Sequence, residues 1–290
     1  MGEVSAEHNT AFRTGMLIRT SMRKQCVAAG PTDAQERTNF NYEPVVRFHV
    51  MFSTTKLAII YLTLGPPAGI FGILYSLFTG NIDLLYKSGL MRIARFGIYA
   101  AGVRVELHGL ENVPVGRPCI FMANHASNLD PPILLPLVPG RTSILLKSSL
   151  MRIPILGTAM RMGKFVPIER GGSLEGGRRS VNAATSAIRS GLHLVVFPEG
   201  TRSPDGRLTS FKKGPFFLAQ RTGAPIIPVA IAGTQCLMPK DSATIQPGAV
   251  QVTYLPLIEP SDYPTREALM EAVHAAIAVA LPADLKPIVA

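Results

Sequence analysis

Asn124-His125-Ala126-Ser127-Asn128-Leu129-Asp130-Pro131-Pro132 is the stretch whose reading decides the fold. A short apolar run, Cys119 to Ala123, leads into it, and a helical pattern at 131–138 leads out of it. A strand, a polar turn and a proline-started helix make up one step of an alternating α/β chain. In open sheets of that kind, functional groups collect on the loops beyond the strand ends. Histidine is the side chain suited to proton transfer near neutral pH, so His125 is a candidate general base. Asp130, five residues on, can return across the turn to the second ring nitrogen. That arrangement is the one found in Ser-His-Asp sites, with the attacking hydroxyl here coming from the substrate. A structural alternative stands beside it: an Asp before Pro-Pro is also a good helix N-cap.

Outward from this motif the alternation continues. Strand candidates are Val103-Val105-Leu107, Ser143–Leu146, Phe165–Ile168, Leu192–Phe197, Ile226–Ile231 and Val250–Leu255. Helical patterns fall at 131–138, 149–161, 174–190, 213–222 and 265–281. Gly191 and Gly223 read as C-cap glycines, and Pro282 stops the last helix. The expectation is an α/β domain over 103–290, with a mixed, largely parallel sheet flanked by helices. No internal repeat is visible.

The segment before this domain is different. Leu57 to Ile82 carries no charged residue and is long enough to cross a bilayer. Gly65-Pro66-Pro67 interrupts it, so it reads either as one kinked helix or as a hairpin dipping into one leaflet. The pattern at 84–101 sets Arg92 and Arg95 beside an apolar face of Met91, Ala94 and Ile98, as in an interfacial helix or an ordinary packed one. Residues 51–102 are therefore expected to be a membrane-embedded helical segment preceding the sheet. Residues 1–50 are polar and without period, and are expected to be a disordered extension or to precede the true start at Met51.

Composition agrees with a membrane contact. The 290 residues are 47% hydrophobic and only 17% charged, with a net charge of +10. Residues 51–290 supply +9 of it, and 141–191 hold nine basic and two acidic residues. This excess suits an anionic lipid surface, a phosphorylated substrate or nucleic acid, or is simply a solvated face. No nucleic-acid-binding motif or interleaved aromatic stripe is present and tryptophan is absent, so a nucleic-acid partner is not expected. Cys26, Cys119 and Cys236 show no disulfide framework or metal spacing. Cys119 and Cys236 lie in apolar surroundings and read as buried, inert thiols.

A second motif, Phe197-Pro198-Glu199-Gly200-Thr201-Arg202-Ser203, ends the Leu192–Val196 strand. Gly200 permits a tight turn, Arg202 offers a planar fork for phosphate oxygens, and Thr201 adds a hydroxyl. Glu199 could orient Arg202 or bond a substrate hydroxyl. A surface Glu–Arg pair is the plainer alternative. Ser127 and Ser203 are not set in Gly-x-Ser-x-Gly, so a nucleophile elbow is not indicated.

His-x4-Asp followed by Phe-Pro-Glu-Gly-Thr-Arg resembles the glycerolipid acyltransferase family. Gly163-Lys164-Phe165-Val166-Pro167-Ile168-Glu169-Arg170, Ser210-Phe211-Lys212-Lys213-Gly214-Pro215-Phe216 and Gly223-Ala224-Pro225-Ile226-Ile227-Pro228-Val229 sharpen the resemblance toward its 1-acylglycerol-3-phosphate acyltransferases. The blocks run in order from Asn124 to Val229, more loosely from about Leu57 to about Leu257, and do not reach 1–50.

The resemblance implies a glycerolipid-acyltransferase-like fold and an acyl transfer to the sn-2 hydroxyl of lysophosphatidic acid, giving phosphatidic acid for phospholipid biosynthesis. It makes His125 the general base and Asp130 its partner. It assigns Glu199, Gly200, Thr201 and Arg202 to the glycerophosphate, with Arg170 and Lys147 in the same acceptor site. Relatives often carry Lys-x-Glu-Leu where this chain has Lys147-Ser148-Ser149-Leu150, so the acidic position is lost. The donor is acyl-coenzyme A or acyl-carrier protein, with no cofactor and no metal. The expected location is a phospholipid surface on the cytoplasmic face of the inner or plasma membrane. Within the class, another lysolipid or glycerol-3-phosphate is a rival acceptor. Outside it, the rival is a basic membrane-binding protein that keeps the fold without activity.

Overall fold

The computed structural model describes residues 44–83, 89–168 and 174–288. Its centre is one sheet of β1 (Val103–His108), β2 (Ile120–Ala123), β3 (Thr142–Lys147), β4 (Val166–Ile168), β5 (His193–Val196), β6 (Ile226–Ala232) and β7 (Gly248–Tyr254), in the order β1-β7-β6-β2-β5-β3-β4. Strands β6, β2, β5, β3 and β4 pair parallel to one another. β7 joins β6 antiparallel, and β1 joins β7 parallel, so the last two strands at that edge run the other way. The expected mixed, largely parallel sheet is what forms.

The helices are α1 (Pro44–Thr79), α2 (Met91–Ala100), α3 (Asp130–Leu134), α4 (Leu156–Met162), α5 (Leu174–Arg189), α6 (Lys213–Thr222), α7 (Thr234–Leu237) and α8 (Arg266–Ala280). The central strands are apolar along their whole length because both faces are covered. On β2, Ile120 and Met122 face a core completed by Ile188 of α5, Phe216 of α6 and Leu269 of α8. Phe121 and Ala123 face a second core with Ile98 of α2 and Ile133 and Leu134 of α3. The domain is thus a three-layer helix–sheet–helix stack.

Two helices differ from the sequence expectation. The pattern at 149–161 divides into a 3-10 segment, Ser148–Arg152, and α4, because Pro154 cannot continue a helix and Ile155 adopts a φ of +62°. The pattern at 131–138 gives only the short α3, since Pro136 cannot donate to a next turn. Gly191 and Gly223 close their helices at φ of +86° and +65°, as the sequence indicates. Cys119 is fully buried, and burial pushes its thiol up to about 11. Cys236 corrects the reading of a buried, inert thiol: it is only half-buried and is not free.

α1 resolves the choice left open for the apolar segment. It is a single helix that continues through Pro66 and Pro67, so the hairpin does not form. It also begins at Pro44, ahead of the expected boundary at residue 51. Among the described residues it is the one helix long and apolar enough to cross a membrane, over Met51–Thr79, and only 11% of its most apolar window is buried. Those 29 residues rise about 1.5 Å each, more than the ~30 Å hydrocarbon core requires. Thr63 and Ser76 donate their hydroxyls to the carbonyls of Ile59 and Gly72, both at 2.7 Å, so they carry no unpaired donor into an apolar surrounding.

α2 crosses α1 at Gly97, where an added Cβ would stand 2.4 Å from the Tyr61 ring and 2.9 Å from Leu57. The Tyr61 hydroxyl donates to the Ala94 carbonyl at 3.2 Å. Ile98 turns inward, while Arg92, Arg95, Phe96 and Tyr99 are exposed. That outer face is basic and aromatic, the composition of a helix at a membrane surface. Gly97→Leu forces the two helices apart and is expected to cost about 1–3 kcal/mol, read as a lower melting temperature in detergent. Gly65→Ala, whose Cβ meets nothing within 4 Å, is the matched control. Equal melting of both variants and wild type would contradict this account of the α1–α2 contact.

Candidate active site

β2, β5 and β3 lie side by side and run in the same direction. Their C-terminal ends therefore share one edge of the sheet. His125 follows β2, Glu199–Arg202 follow β5, and Lys147 closes β3. With strands ~4.8 Å apart, the span from β2 to β3 is about 10 Å, the width of a polar headgroup site.

The His125 turn is anchored before any substrate arrives. Asn124 is buried, and its side chain donates to the Ile231 carbonyl at 2.9 Å and accepts from the Ile231 N–H at 2.7 Å. This fastens the end of β2 to β6. The Ser127 hydroxyl donates to the Met238 carbonyl at 2.7 Å and accepts from the Leu129 N–H at 3.1 Å. Ser127 is thus a structural clamp and not a nucleophile.

Asp130 is fully buried at the start of α3. Its Oδ2 accepts from His125 Nδ1, from the Ala126 N–H and from the Ser127 N–H, each at 2.8 Å. A carboxylate only accepts, so the Nδ1 proton is fixed and Nε2 is left as the lone-pair nitrogen. The His125 ring stacks on Phe197, with centroids 4.2 Å apart and planes at 24°. The ring is held on one edge and one face, and its side chain remains 11% exposed. That is the geometry of an oriented general base. The N-cap alternative for Asp130 is also partly realised, since the same oxygen caps the turn amides.

Glu199 departs from both roles considered for it. It is buried, and its Oε1 accepts from the His125 main-chain N–H at 2.6 Å. Its Oε2 accepts from the Thr209 N–H at 3.1 Å and from the Thr209 hydroxyl. It bonds neither Arg202 nor open solvent, and instead ties the β5 loop to the turn that carries His125. A second main-chain tie runs beside it, from the Ser203 N–H to the His125 carbonyl at 2.7 Å. Burial is the larger influence on the Glu199 carboxyl and raises its pKa, against the donors from Thr209 and His125.

Gly200 turns at a φ of +74°, with Lys212 close to where its Cβ would be. Thr201 is exposed and Arg202 half-buried. One Arg202 N–H donates to the Lys240 carbonyl, which leaves the rest of the guanidinium fork free of protein partners among the described residues. Lys147 is exposed at its strand end, opposite Ile168 of β4. Arg170 lies outside the described residues. Among the described residues, no group of three His, Cys, Asp or Glu is placed to hold a metal ion. Phe197, Asn124 and Thr209 are supports to which the sequence reading gave no role. Phe197 and Asn124 sit inside the two motifs, so a signal existed. Thr209 is ten residues from Glu199, and no local pattern announces that loop closure.

Residues 104–232 match the family described as Acyltransferase. The chain is 31% identical to a 1-acyl-sn-glycerol-3-phosphate acyltransferase of Limnanthes alba over 193 residues, covering 66% of this chain and 68% of that protein. It is 38% identical over 147 residues to the chloroplastic 1-acyl-sn-glycerol-3-phosphate acyltransferase BAT2 of Brassica napus, covering 49% of this chain and only 41% of the relative's length. The crystal structure of the 1-acyl-sn-glycerophosphate (LPA) acyltransferase PlsC from Thermotoga maritima superposes with a TM-score of 0.71 at 28% identity, covering 80% of this chain and 94% of that one.

The buried Glu199 makes a pH prediction. Its raised pKa means that the folded state holds the proton more tightly than the unfolded state. Stability therefore falls as pH rises from the ordinary carboxylate range through the raised value. Glu199→Gln removes this slope, but sets an amide N–H against the donors of Thr209 or His125, costing about 1–3 kcal/mol. Urea midpoints between pH 4 and 7 are expected to be lower and flatter for the variant. A variant with an unchanged slope would rule out Glu199 as its source.

Proposed function

Since the chain belongs to the acyltransferase family that includes 1-acyl-sn-glycerol-3-phosphate acyltransferases, we propose that it moves a fatty acyl group from a thioester to the sn-2 hydroxyl of lysophosphatidic acid. The observation that carries this reading is the oriented His125–Asp130 pair, bound through Glu199 and Ser203 to the loop that presents Arg202. The acceptor phosphate docks on the free donors of Arg202, with Lys147 contributing positive charge along the same edge and Arg170 assigned to the same acceptor by the family resemblance. Its free hydroxyl then lies beside His125.

Nε2 takes the hydroxyl proton as the oxygen attacks the thioester carbon. The resulting imidazolium faces the Asp130 carboxylate, which stabilises it. The tetrahedral intermediate collapses, the carbon–sulfur bond breaks, and the departing thiolate takes the proton back from His125. Phosphatidic acid and a free thiol are the products. The thioester carries the activation, so such a transfer needs no prosthetic group. Acyl-coenzyme A or acyl-carrier protein is the donor. α1 and the basic face of α2 hold the site at the cytoplasmic face of a membrane, where acceptor and product reside.

The test is acyl transfer by the purified full chain in detergent, with palmitoyl-coenzyme A or palmitoyl-acyl-carrier protein as donor. Lysophosphatidic acid, lysophosphatidylcholine and glycerol-3-phosphate are offered as acceptors. Phosphatidic acid is the expected product, and His125→Ala is expected to lower the rate by at least ~10² with an unchanged melting temperature. Preference for another acceptor would move the substrate assignment. Silence with every donor and acceptor would leave a membrane-binding protein with this fold.

A further inference from the structure

The segment from Met238 to Ile245 is a strap across the site, and its three ties reach three different parts of the molecule. The Met238 carbonyl accepts from the Ser127 hydroxyl at 2.7 Å, beside the catalytic turn. The Lys240 carbonyl accepts from the Arg202 guanidinium. The Ile245 N–H donates to the Thr54 hydroxyl of α1 at 2.8 Å. Within the strap, Ser242 N–H donates to the Pro239 carbonyl at 3.0 Å, and Gln246 N–H closes its base on the Leu237 carbonyl at 2.8 Å. Such a strap has little freedom to move away from Arg202.

Lys240 stands where the strap meets the site. Its main chain touches Arg202, and two residues earlier the chain touches the turn that carries His125. Its ammonium has no carboxylate partner among the described residues, while Asp241 beside it is exposed and unpaired there as well. Lys240 is half-buried, and its main chain adjoins the Arg202 guanidinium. A flexible four-carbon stem lets an ammonium follow a point charge that a planar guanidinium already holds.

We propose that Lys240 is a second cationic ligand of the acceptor's phosphate, reaching it from the strap that Arg202 bonds. This rests on the reading that Arg202 takes that phosphate. It gives the strap a purpose: it links α1 to the group that fixes the headgroup. Lys240 lies outside the motifs that carry the family resemblance, and beyond the 104–232 match.

The test needs no acyl donor. Equilibrium binding of radiolabelled 1-oleoyl-lysophosphatidic acid to the full chain in detergent micelles is compared for wild type, Arg202→Ala, Lys240→Ala, Lys240→Arg and Asp241→Ala, each checked for an unchanged melting temperature. Loss of one charge-assisted contact is expected to weaken binding about tenfold in Lys240→Ala. Lys240→Arg keeps the charge and should bind within about threefold of wild type. Asp241→Ala should match wild type. Unlabelled lysophosphatidic acid should displace the label from wild type better than lysophosphatidylcholine does, and Lys240→Ala should narrow that gap. A loss in Arg202→Ala with none in Lys240→Ala overturns the role of Lys240 and keeps that of Arg202. No loss in either variant, or no binding by wild type, overturns the phosphate reading of Arg202 and the inference with it. Equal loss in Lys240→Ala and Lys240→Arg would show a strap disturbed by substitution and no ammonium contact.

Discussion

Asp130 Oδ2 accepts from the His125 ring and from the main-chain N–H groups of Ala126 and Ser127, all at 2.8 Å and out of reach of water. Three donors converge on one oxygen, so the negative charge is concentrated on the side that faces His125. In a buried setting such charge-assisted bonds are short and strong. They also couple fold to chemistry, because the oxygen that shapes the turn after β2 is the one that fixes the imidazole proton. Oδ1 has no partner among the described residues. The carboxylate's work is done by a single atom.

The rest of the site braces that atom's neighbour. Phe197 supports the ring from below, Glu199 and Ser203 hold the His125 backbone, and Asn124 pins the strand behind it. These supports come from β5, β6 and their loops, which meet only because the parallel order brings β2 between β5 and β6. α1 joins the same structure at three places: at Gly97 of α2, at Gly69, where an added Cβ would stand 2.7 Å from Ile155, and through Thr54 to the strap that touches Arg202. The Arg202 loop and the helix long and apolar enough to cross a membrane therefore share a mechanical frame.

Much of this was legible in the residues. All seven strands were marked by apolar runs or, for β1, by alternation, and Gly191 and Gly223 marked helix ends by the left-handed conformation they supply. His125 and Asp130 were readable as a pair because five residues suffice to close one turn. The misread parts have physical causes. Helical periodicity survives across Pro154, although its ring prevents one continuous helix over 149–161. Pro66 and Pro67 look like a break, yet α1 continues through them. Glu199 looks like a surface or substrate group because sequence shows charge but not depth. Its partner Thr209 is brought near only by the loop that Lys212 N–H closes on the Pro198 carbonyl at 2.7 Å.

The most direct measurement is the acyl-transfer rate of Asp130→Asn beside Asp130→Ala and wild type. An asparagine whose oxygen takes the Oδ2 position keeps all three hydrogen bonds and puts its NH2 where Oδ1 makes none. The charge is lost, and the buried NH2 is left without an acceptor at a cost of about 1–3 kcal/mol. If that charge stabilises the imidazolium of His125, Asp130→Asn stays folded, with a melting temperature lowered only by the unpaired amide, and its rate falls by about 10² or more. Asp130→Ala, which also frees the turn, falls further and melts lower. A fully active Asp130→Asn would contradict the electrostatic role and leave Asp130 as a brace for the turn alone.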